Sequence, residues 1–325
     1  MKNQNMKILV TGAAGFIGSN LCESLVEKKH QVIGIDNFIT GKMENLSNII
    51  NSKNFEFIEG DITDYNTCLE NTKNINVVIH QAALGSVPRS IKTPLDTNQN
   101  NVNGFLNMIE SSRLNNIDKF IYASSSSVYG DSESLPKIES VIGKPLSPYA
   151  VTKSINELYA GVYFKTYGLK TIGLRYFNVF GKHQDPDGQY AAVIPKFIKL
   201  FLEGNSPTIN GDGSYSRDFT YIKNVVKMNL LALETNDDRV FGGIFNTATG
   251  QRHTIKEMTE FIKSELSNYK KSISEIPISY SSNRIGDIPH SHANIDKAKS
   301  LLNYHPDFSF KEGIIDCLEW YINNL

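Results

Sequence analysis

A tyrosine and a lysine four residues apart are the side chains of this sequence best placed for proton transfer. They are Tyr149 and Lys153, in the segment SPYAVTK. Ser147 is typical of a helix N-cap and Pro148 of a first helical residue, so a helix is predicted to begin here. Tyr149 and Lys153 then share one helix face. An ammonium close to a phenol lowers the phenol's pKa because the cation favours phenolate. The pair therefore predicts a tyrosine that acts as a base near neutral pH.

Four consecutive serines lie a short distance upstream. Ser124 to Ser127 follow an apolar run in the segment FIYASSSSVYGD and precede Tyr129. Adjacent hydroxyls at this place are typical either of a polar strand end or of the edge of an active site. The residue types alone leave both interpretations open.

A glycine-rich turn near the N-terminus indicates a nucleotide site. The segment TGAAGFIG follows an apolar run and places glycines at 12, 15 and 18. Gly12 permits a tight turn, Gly15 lets backbone N–H groups approach a pyrophosphate, and Gly18 allows close packing of helix on sheet. Such a triplet alone is weak evidence, since plain strand-to-helix turns are also glycine-rich. Asp36 closes the second apolar run, and a carboxylate there accepts ribose hydroxyls and repels a 2′-phosphate, which predicts NAD and not NADP.

The elements that must position these residues alternate between strand and helix. Short apolar, β-branched runs occur at 7–10, 31–35, 55–60, 76–81, 119–124 and 170–176, separated by helical patterns. This alternation predicts an α/β fold, a doubly wound parallel sheet of the Rossmann type. After Asn178 the sequence becomes rich in Gly, Pro and Asp. We predict an NAD-binding domain over 1–177 and 219–250, and a smaller α/β substrate-binding region over 178–218 and 251–325.

Composition excludes several classes of protein. The 325 residues carry 33 Lys and Arg against 34 Asp and Glu, a net charge of −1, so nothing favours a nucleic acid or an anionic membrane as partner. Cys22, Cys68 and Cys317 are far apart and predict buried free thiols, not disulfides or a metal site. No segment approaches the length of a membrane span, and a cytoplasmic location is expected.

Taken together, TGAAGFIG, the strand-end serine and YxxxK resemble the extended short-chain dehydrogenase/reductases over essentially the whole chain. The segments QAALGSVPRS, SPYAVTK, GLRYFNVFG and AAVIPKF are most similar to the nucleotide-sugar 4-epimerases, in the branch that handles N-acetylated UDP-hexosamines for surface polysaccharides. The resemblance implies a catalytic set of Ser125, Tyr149 and Lys153. It implies that hydride passes from the sugar C4 to NAD, that the 4-keto sugar turns over, and that hydride returns to the opposite face.

Within that family the serine run separates reaction types. Nucleotide-sugar 4,6-dehydratases carry Thr-Asp-Glu at the positions of Ser125, Ser126 and Ser127, because elimination of water needs a further acid and base. The related decarboxylases carry a glutamate at the last of these positions. Three serines here supply no carboxylate, which favours a redox-neutral epimerisation.

The resemblance also implies contact residues, several of which follow predicted strands at the carboxyl edge of the sheet. The positions implied for the cofactor are Gly12, Gly15, Phe16, Ile17, Gly18, Asp36, Asn37, Thr40, Gly41, Asp61, Ile62, Gln81, Ala82, Ala83, Asn100, Tyr149, Lys153 and Tyr176. The positions implied for the substrate are Gly85, Ser86, Ser125, Ser126, Asn178, Ala192, Val193, Ile209, Arg217, Arg284, Asp287 and Ser291.

The resemblance gives particular roles to three of the substrate positions. Arg217 and Arg284 match arginines that bind the diphosphate of UDP, a role that suits the planar guanidinium. Ser291 matches a gatekeeper beside the sugar's 2-substituent, where a small residue leaves room for an acetamido group and a tyrosine does not. The flanking His290 and His292 are interpreted as ordinary surface residues, since two histidines lack the further ligands of a metal site.

The resulting hypothesis is a 4-epimerase acting on UDP-N-acetylglucosamine and UDP-N-acetylgalactosamine, with UDP-glucose, UDP-galactose and the N-acetylhexosaminuronic acids as further candidate substrates. A UDP-glucuronate 4-epimerase is an alternative. Asn178 argues against it, since the resemblance implies an asparagine that spans sugar and phosphate where glucuronate 4-epimerases usually have threonine, and Ser291 also argues against it. A non-catalytic regulator that binds NAD or a nucleotide sugar is another, although such proteins typically lose the Tyr or Lys. The resemblance further implies a homodimer formed by helices near 100–115 and 149–167.

Overall fold

A seven-stranded parallel sheet forms the centre of the protein. The structure is a computed structural model that describes residues 5–187, 191–282 and 288–325. Its strands are Lys7–Thr11 (β1), Gln31–Asp36 (β2), Phe55–Glu59 (β3), Val77–His80 (β4), Lys119–Ser125 (β5), Lys170–Tyr176 (β6), Val179–Phe180 (β7), Thr208–Asn210 (β8), Ser216–Arg217 (β9), Thr220–Tyr221 (β10), Gly243–Thr247 (β11), His253–Thr254 (β12) and Ser279–Ser281 (β13). The order across the large sheet is β3-β2-β1-β4-β5-β6-β11.

This strand order confirms the predicted fold. The chain builds outward from β1 to β3 and then returns to place β4 on the other side of β1. In doubly wound sheets a dinucleotide binds at the carboxyl ends of the strands where the order reverses. The six predicted strand segments each agree with an observed strand to within a residue at either end.

Helices cover both faces of the sheet. They are Phe16–Glu27 (α1), Tyr65–Asn71 (α2), Val87–Lys92 (α3), Pro94–Asn98 (α4), Gly104–Leu114 (α5), Pro148–Tyr167 (α6), Val193–Leu202 (α7), Ile222–Glu234 (α8), Ile255–Tyr269 (α9), Asp296–Leu302 (α10) and Phe310–Asn324 (α11). Alternate residues of β1 enter different cores: Ile8 and Val10 pack with Leu21 of α1, whereas Leu9 packs with Phe105 of α5. Burial on both faces explains why the strands read as continuous apolar runs.

The helix α6 begins as its sequence predicts. The Ser147 hydroxyl accepts a hydrogen bond from the Ala150 amide at 3.1 Å, and Pro148 occupies the first turn, where its missing N–H costs nothing. Gly168 ends the helix with a φ of 74°, a left-handed conformation that glycine adopts without strain. Tyr149 is therefore fixed at the first turn, directly above the end of β5.

The second half of the chain alternates between the sheet and a smaller region. Strand β11 extends the large sheet beside β6, while α7, α9 and α11 lie in the segments predicted for substrate binding. Phe197 of α7, Ile262 of α9 and Ile314 of α11 belong to the same core as Ile8 of β1. The two regions thus share one core, and the division at 178, 219 and 251 remains a prediction.

Other sequence predictions concern thiols and the membrane. Cys22, Cys68 and Cys317 are free and buried, as predicted. Among the helices of the described ranges, none is long and apolar enough to cross a bilayer.

Candidate active site

A cavity of about 1040 Å³ opens at the carboxyl edge of the sheet. At one end it is lined by the glycine turn after β1 and by Asp36 at the end of β2. Ser125, Tyr149 and Lys153 lie along its middle, and Ser291 from the smaller region lines the other end. The cavity thus runs from the predicted cofactor site to the predicted sugar site. A single elongated cleft can hold a dinucleotide and a second nucleotide end to end.

The glycine turn has the backbone that a pyrophosphate requires. Gly12 has a φ of +69°, and a Cβ on it would lie 2.8 Å from the Ala82 amide nitrogen. A Cβ on Gly18 would lie 1.9 Å from the Gly12 carbonyl oxygen, which is impossible without moving the backbone. Gly15 caps the N-terminus of α1, where free N–H groups and the helix dipole favour an anion. These residues fit the diphosphate of NAD.

Asp36 presents a fixed carboxylate at the same end. It accepts hydrogen bonds from the Ala14 amide at 3.0 Å and the Phe38 amide at 2.8 Å. Burial raises the pKa of Asp36, and these backbone bonds oppose that effect. Its neighbour Asn37 donates to the Asp61 carboxylate at 3.0 Å. A carboxylate held in this way can accept ribose hydroxyls, as the sequence predicted.

Ser125 and Tyr149 meet at the middle of the cavity. Their hydroxyls are hydrogen-bonded to each other, and the Ser125 oxygen also accepts from the Ser127 amide at 3.1 Å. Lys153 is 2% exposed, and its ammonium donates to the Ala123 carbonyl at 2.8 Å. The structure therefore brings the three predicted catalytic residues to one place, with Tyr149 half-buried at the cavity wall.

The pKa of Tyr149 differs from the sequence-based prediction. Burial raises the pKa of this phenol, and the hydrogen bond from Ser125 only partly opposes the increase. Lys153 is not among the groups that shift the pKa of Tyr149, and its ammonium is bound to the Ala123 carbonyl. Burial also lowers the pKa of Lys153 to about 8. The geometry of a tyrosine base is present, but the charge that activates it depends on groups around Lys153.

The four serines of the run have different surroundings. Ser125 contacts Tyr149, whereas Ser124, which also lines the cavity, donates its hydroxyl to Glu157 at 2.5 Å. Ser126 and Ser127 line the cavity as hydroxyl groups. Ser124 is therefore part of the packing at the strand end, and the run as a whole borders the cavity.

Two residues at the sugar end have strained backbones. Ser86 has a φ of 96° and Asn178 a φ of 34°, values that non-glycine residues rarely adopt. The Ser86 hydroxyl caps α3 by accepting from the Arg89 amide at 3.3 Å, and the Asn178 amide donates to the Asp218 carbonyl at 3.2 Å. Strain of this kind costs on the order of 1–3 kcal/mol and concentrates at ligand sites.

The segment 288–294, which we call the wall segment, closes the sugar end. The Ser291 amide donates to the Ser216 carbonyl at 2.9 Å, and the Lys137 amide donates to the His292 carbonyl at 2.7 Å. Asp218 is fully buried and accepts from the amides of Gly250 and Ala293, at 3.0 and 3.3 Å. Burial raises the pKa of Asp218 to about 6. The wall that carries Ser291 is thus held from both sides.

Most of the predicted contact residues line this cavity. The cofactor positions that do so are Gly12, Gly15, Phe16, Ile17, Gly18, Asp36, Asn37, Thr40, Ile62, Gln81, Ala82, Ala83, Asn100, Tyr149, Lys153 and Tyr176. The substrate positions that do so are Gly85, Ser86, Ser125, Ser126, Asn178, Arg217 and Ser291.

The remaining predicted positions lie elsewhere. Gly41 and Asp61 do not line the cavity but adjoin residues that do, Gly41 at Asp36 and Asp61 at Asn37. Ala192 and Val193 begin α7 outside the cavity lining. The Ile209 side chain is 1% exposed and packs into the core, so it does not line the cavity, and its contact with a substrate stays a prediction. Arg284 and Asp287 lie outside the described residues.

Polar residues that the sequence did not single out for ligand contact also line the cavity, among them Lys137, Gln184 and His290. The Gln184 amide nitrogen donates to the Val179 carbonyl at 3.0 Å, while its oxygen is buried without a partner among the described residues. A buried amide oxygen of this kind can accept a ligand N–H or O–H. Gln184 follows β7 in the glycine-, proline- and aspartate-rich segment after Asn178, and that change of composition was a usable signal. The sequence around Lys137 and His290 gave no such signal.

Comparison with known proteins agrees with this geometry. The sequence profile described as the NAD dependent epimerase/dehydratase family matches residues 8–248, which is most of the chain.

The chain belongs to this family.

Several characterised relatives extend over almost the full length of the epimerase. A UDP-glucose 4-epimerase of Mycolicibacterium smegmatis is 34% identical, over 98% of this chain and 99% of the relative. The structure of a UDP-N-acetylglucosamine 4-epimerase from Methanobrevibacter ruminantium, in complex with UDP-N-acetylmuramic acid, is 40% identical, with a TM-score of 0.92 and coverage of 99% and 100%. A UDP-glucuronic acid 4-epimerase from Bacillus cereus, in complex with UDP-glucuronic acid and NAD, is 34% identical, with a TM-score of 0.87 and coverage of 98% and 100%.

These similarities confirm the predicted family, fold and cofactor. The protein is an NAD-dependent enzyme of the UDP-sugar 4-epimerase type.

Proposed function

We propose that the epimerase interconverts UDP-N-acetylglucosamine and UDP-N-acetylgalactosamine. The observation that carries this proposal is the small size of the residues at the sugar end. Ser291, Gly85 and Ser86 all line the cavity there, and a Cβ built on Gly85 meets no atom within 4 Å. An acetamido group adds bulk to the sugar at C2, and a pocket lined by small side chains leaves space for it.

A further observation supports the acetamido sugar. The relative from Methanobrevibacter ruminantium, at 40% identity, is named a UDP-N-acetylglucosamine 4-epimerase.

A second candidate is a UDP-glucuronate 4-epimerase. Lys137 lines the cavity and could pair with a sugar carboxylate, and the Bacillus cereus relative acts on UDP-glucuronic acid. Its ammonium already donates to the Ser132 carbonyl, which makes this cation less available. We therefore rank the acidic sugar second.

The chain's own residues supply the acid–base chemistry of this reaction. Tyr149 is placed to take the proton of the sugar 4-hydroxyl and to return it, and Ser125 is placed to hold the reacting oxygen. Lys153 supplies a cation near the phenol, and Arg217 offers a guanidinium to the diphosphate at the far end of the cavity. When bound by the residues of the glycine turn and Asp36, NAD would supply the hydride acceptor and donor. The 4-keto sugar must turn over within the cavity between the two transfers.

The substrate proposal is tested by measuring kcat/KM on a panel of UDP-sugars. We expect the value for UDP-N-acetylglucosamine to exceed that for UDP-glucose and UDP-glucuronate by about tenfold or more, since a mismatched pocket group costs roughly 1–3 kcal/mol. A higher value for UDP-glucuronate than for both neutral sugars would contradict the proposal and favour the second candidate.

We also propose that the enzyme forms a homodimer through α6. Val151, Leu158 and Val162 form one stripe on this helix and are 43, 70 and 53% exposed. Leu95, on the neighbouring α4, is 83% exposed. A continuous apolar surface of this kind is typical of an interface between subunits.

The double variant Leu158→Glu/Val162→Glu is expected to sediment as a monomer, because two buried carboxylates per subunit oppose association. Sedimentation velocity of the variant and the wild type measures this directly. Ile315→Glu, at an exposed apolar position of α11, is the matched control and should keep the wild-type mass. A wild-type monomer, or a dimer in the double variant, would contradict the assignment.

A further inference from the structure

A buried carboxylate lies one helical turn beyond the proposed catalytic lysine. Glu157 follows Lys153 at i+4 on α6 and is 9% exposed. It accepts hydrogen bonds from the Ser124 hydroxyl at 2.5 Å and from Arg175 at 2.8 Å through both Nε and Nη2. A charge buried this deeply is stable only when its oxygens are paired, as they are here.

Arg175, on β6, anchors this carboxylate. It is 2% exposed, and its third donor binds the Glu139 carbonyl at 3.0 Å. Its guanidinium also lies over the Tyr129 ring, 4.8 Å from the centroid. The bidentate pair fixes α6 to β6, and the Ser124 bond fixes α6 to β5. The position of Glu157 is therefore determined by three elements at once.

The Glu157 carboxylate affects the proposed catalytic residues in two ways. Ser124 directly precedes Ser125, so its bond to Glu157 fixes the strand end that carries the Ser125 hydroxyl. Lys153 is bound to the Ala123 carbonyl of that strand, and the negative charge of Glu157 opposes the lowering of the Lys153 pKa by burial. Geometry and charge at the reacting centre thus both depend on one side chain.

We propose that Glu157 is a positioning residue of the epimerisation, which keeps the Lys153 ammonium charged and aligns the strand end that carries Ser125. This inference rests on the proposed roles of Tyr149, Lys153 and Ser125. It adds a carboxylate that touches neither substrate nor cofactor to the groups on which the reaction depends.

Other titratable groups around Glu157 do not take over this role. Tyr122 of β5 faces the carboxylate, and burial raises its pKa well above the ordinary value, so it stays neutral. Arg175 stays charged, since its pairing with Glu157 raises an already high pKa. Tyr129 lies beyond Arg175, and burial raises its pKa to about 12. Lys153 is the group in this cluster that loses a proton near the working pH.

The test is Glu157→Gln, which keeps the size of the side chain and removes its charge. We expect kcat to fall by roughly tenfold to a hundredfold through misplacement, with KM for the UDP-sugar within about threefold. The alkaline limb of the kcat–pH profile should move to lower pH by on the order of one unit, because removal of a nearby negative charge lowers the pKa of Lys153. The affinities for NAD and UDP, measured by calorimetry, should stay within about threefold.

Two further variants separate charge from position. Glu157→Asp keeps the negative charge, so the alkaline limb of its kcat–pH profile should lie at the wild-type pH even if kcat stays low. Ser124→Ala removes one hydrogen bond and no charge, so kcat should fall with the limb unchanged. A Glu157→Gln enzyme with wild-type kcat and pH profile overturns the inference.

Thermal melting shows whether the Glu157→Gln variant is folded. If it is not, the other two variants still test the inference. The inference then holds if kcat falls in both Glu157→Asp and Ser124→Ala with the alkaline limb kept, and it is overturned if both keep wild-type kcat. Tyr149→Phe distinguishes this failure from that of the underlying roles. Full activity of Tyr149→Phe would refute the roles themselves, whereas an inactive Tyr149→Phe beside a normal Glu157→Gln refutes only the role of Glu157.

Discussion

Replacing Tyr149 by phenylalanine is expected to lower kcat by about 10²- to 10⁴-fold, the contribution of a positioned acid–base group. The variant removes one hydroxyl, which is hydrogen-bonded to Ser125 at the middle of the cavity, and leaves the ring in place. Affinity for UDP and NAD should therefore change little. The measurement is interconversion of UDP-N-acetylglucosamine at saturating substrate, with calorimetry for the affinities.

The control for this variant is Tyr159→Phe. Tyr159 lies on the same helix and packs against the core on the α5 side of the sheet, outside the cavity lining. Loss of its hydroxyl should leave kcat within about twofold, since substitutions away from reacting groups usually have small effects. Full activity in Tyr149→Phe would show that the catalytic assignment is wrong. A wild type that binds NAD and UDP-sugars but converts none of them would favour the non-catalytic regulator.

The Ser291→Tyr variant is expected to lose about 10- to 100-fold in kcat/KM for UDP-N-acetylglucosamine. Ser291 is half-buried and its amide is fixed to the Ser216 carbonyl at 2.9 Å, so the wall segment cannot move aside without breaking that bond. Overfilling a packed site costs roughly 1–3 kcal/mol, which corresponds to this range. UDP-glucose lacks the acetamido group, and its kcat/KM should fall by less than about threefold.

The ratio of the two kcat/KM values is the decisive quantity. It cancels any general loss of folded enzyme, because both substrates are measured on the same preparation. Ser282→Tyr places the same ring at an exposed position outside the cavity lining and should keep the wild-type ratio. Undiminished activity of Ser291→Tyr on the N-acetyl sugar would remove the argument that Ser291 sets the size of the pocket.

Local signals predicted much of the cofactor end. The glycine turn, Asp36 at a strand end and the Ser147 cap of α6 each depend on a few adjacent residues, and the structure has all three as predicted. The strands were equally predictable, since burial on both faces makes their sequences apolar throughout. Where a feature follows from neighbours in the chain, the sequence was sufficient.

Features that depend on distant segments were not predictable. The pKa of Tyr149 was predicted to fall, but burial by other elements raises it. Lys137 lines the cavity, and its backbone is hydrogen-bonded to the wall segment. These residues are about 150 positions apart in the chain, and no sequence motif predicts that they pair. Ile209 matched a contact position, yet its side chain packs inward.

The backbone bonds of the wall segment are independent of those at the cofactor end. They run to Ser216 and Lys137, at the end of the cavity away from the glycine turn. The bonds that hold Gly12 and Asp36 involve Ile35, Ala14 and Phe38 instead. Among the described residues, a local opening at the wall segment would therefore leave the contacts of the glycine turn and of Asp36 intact.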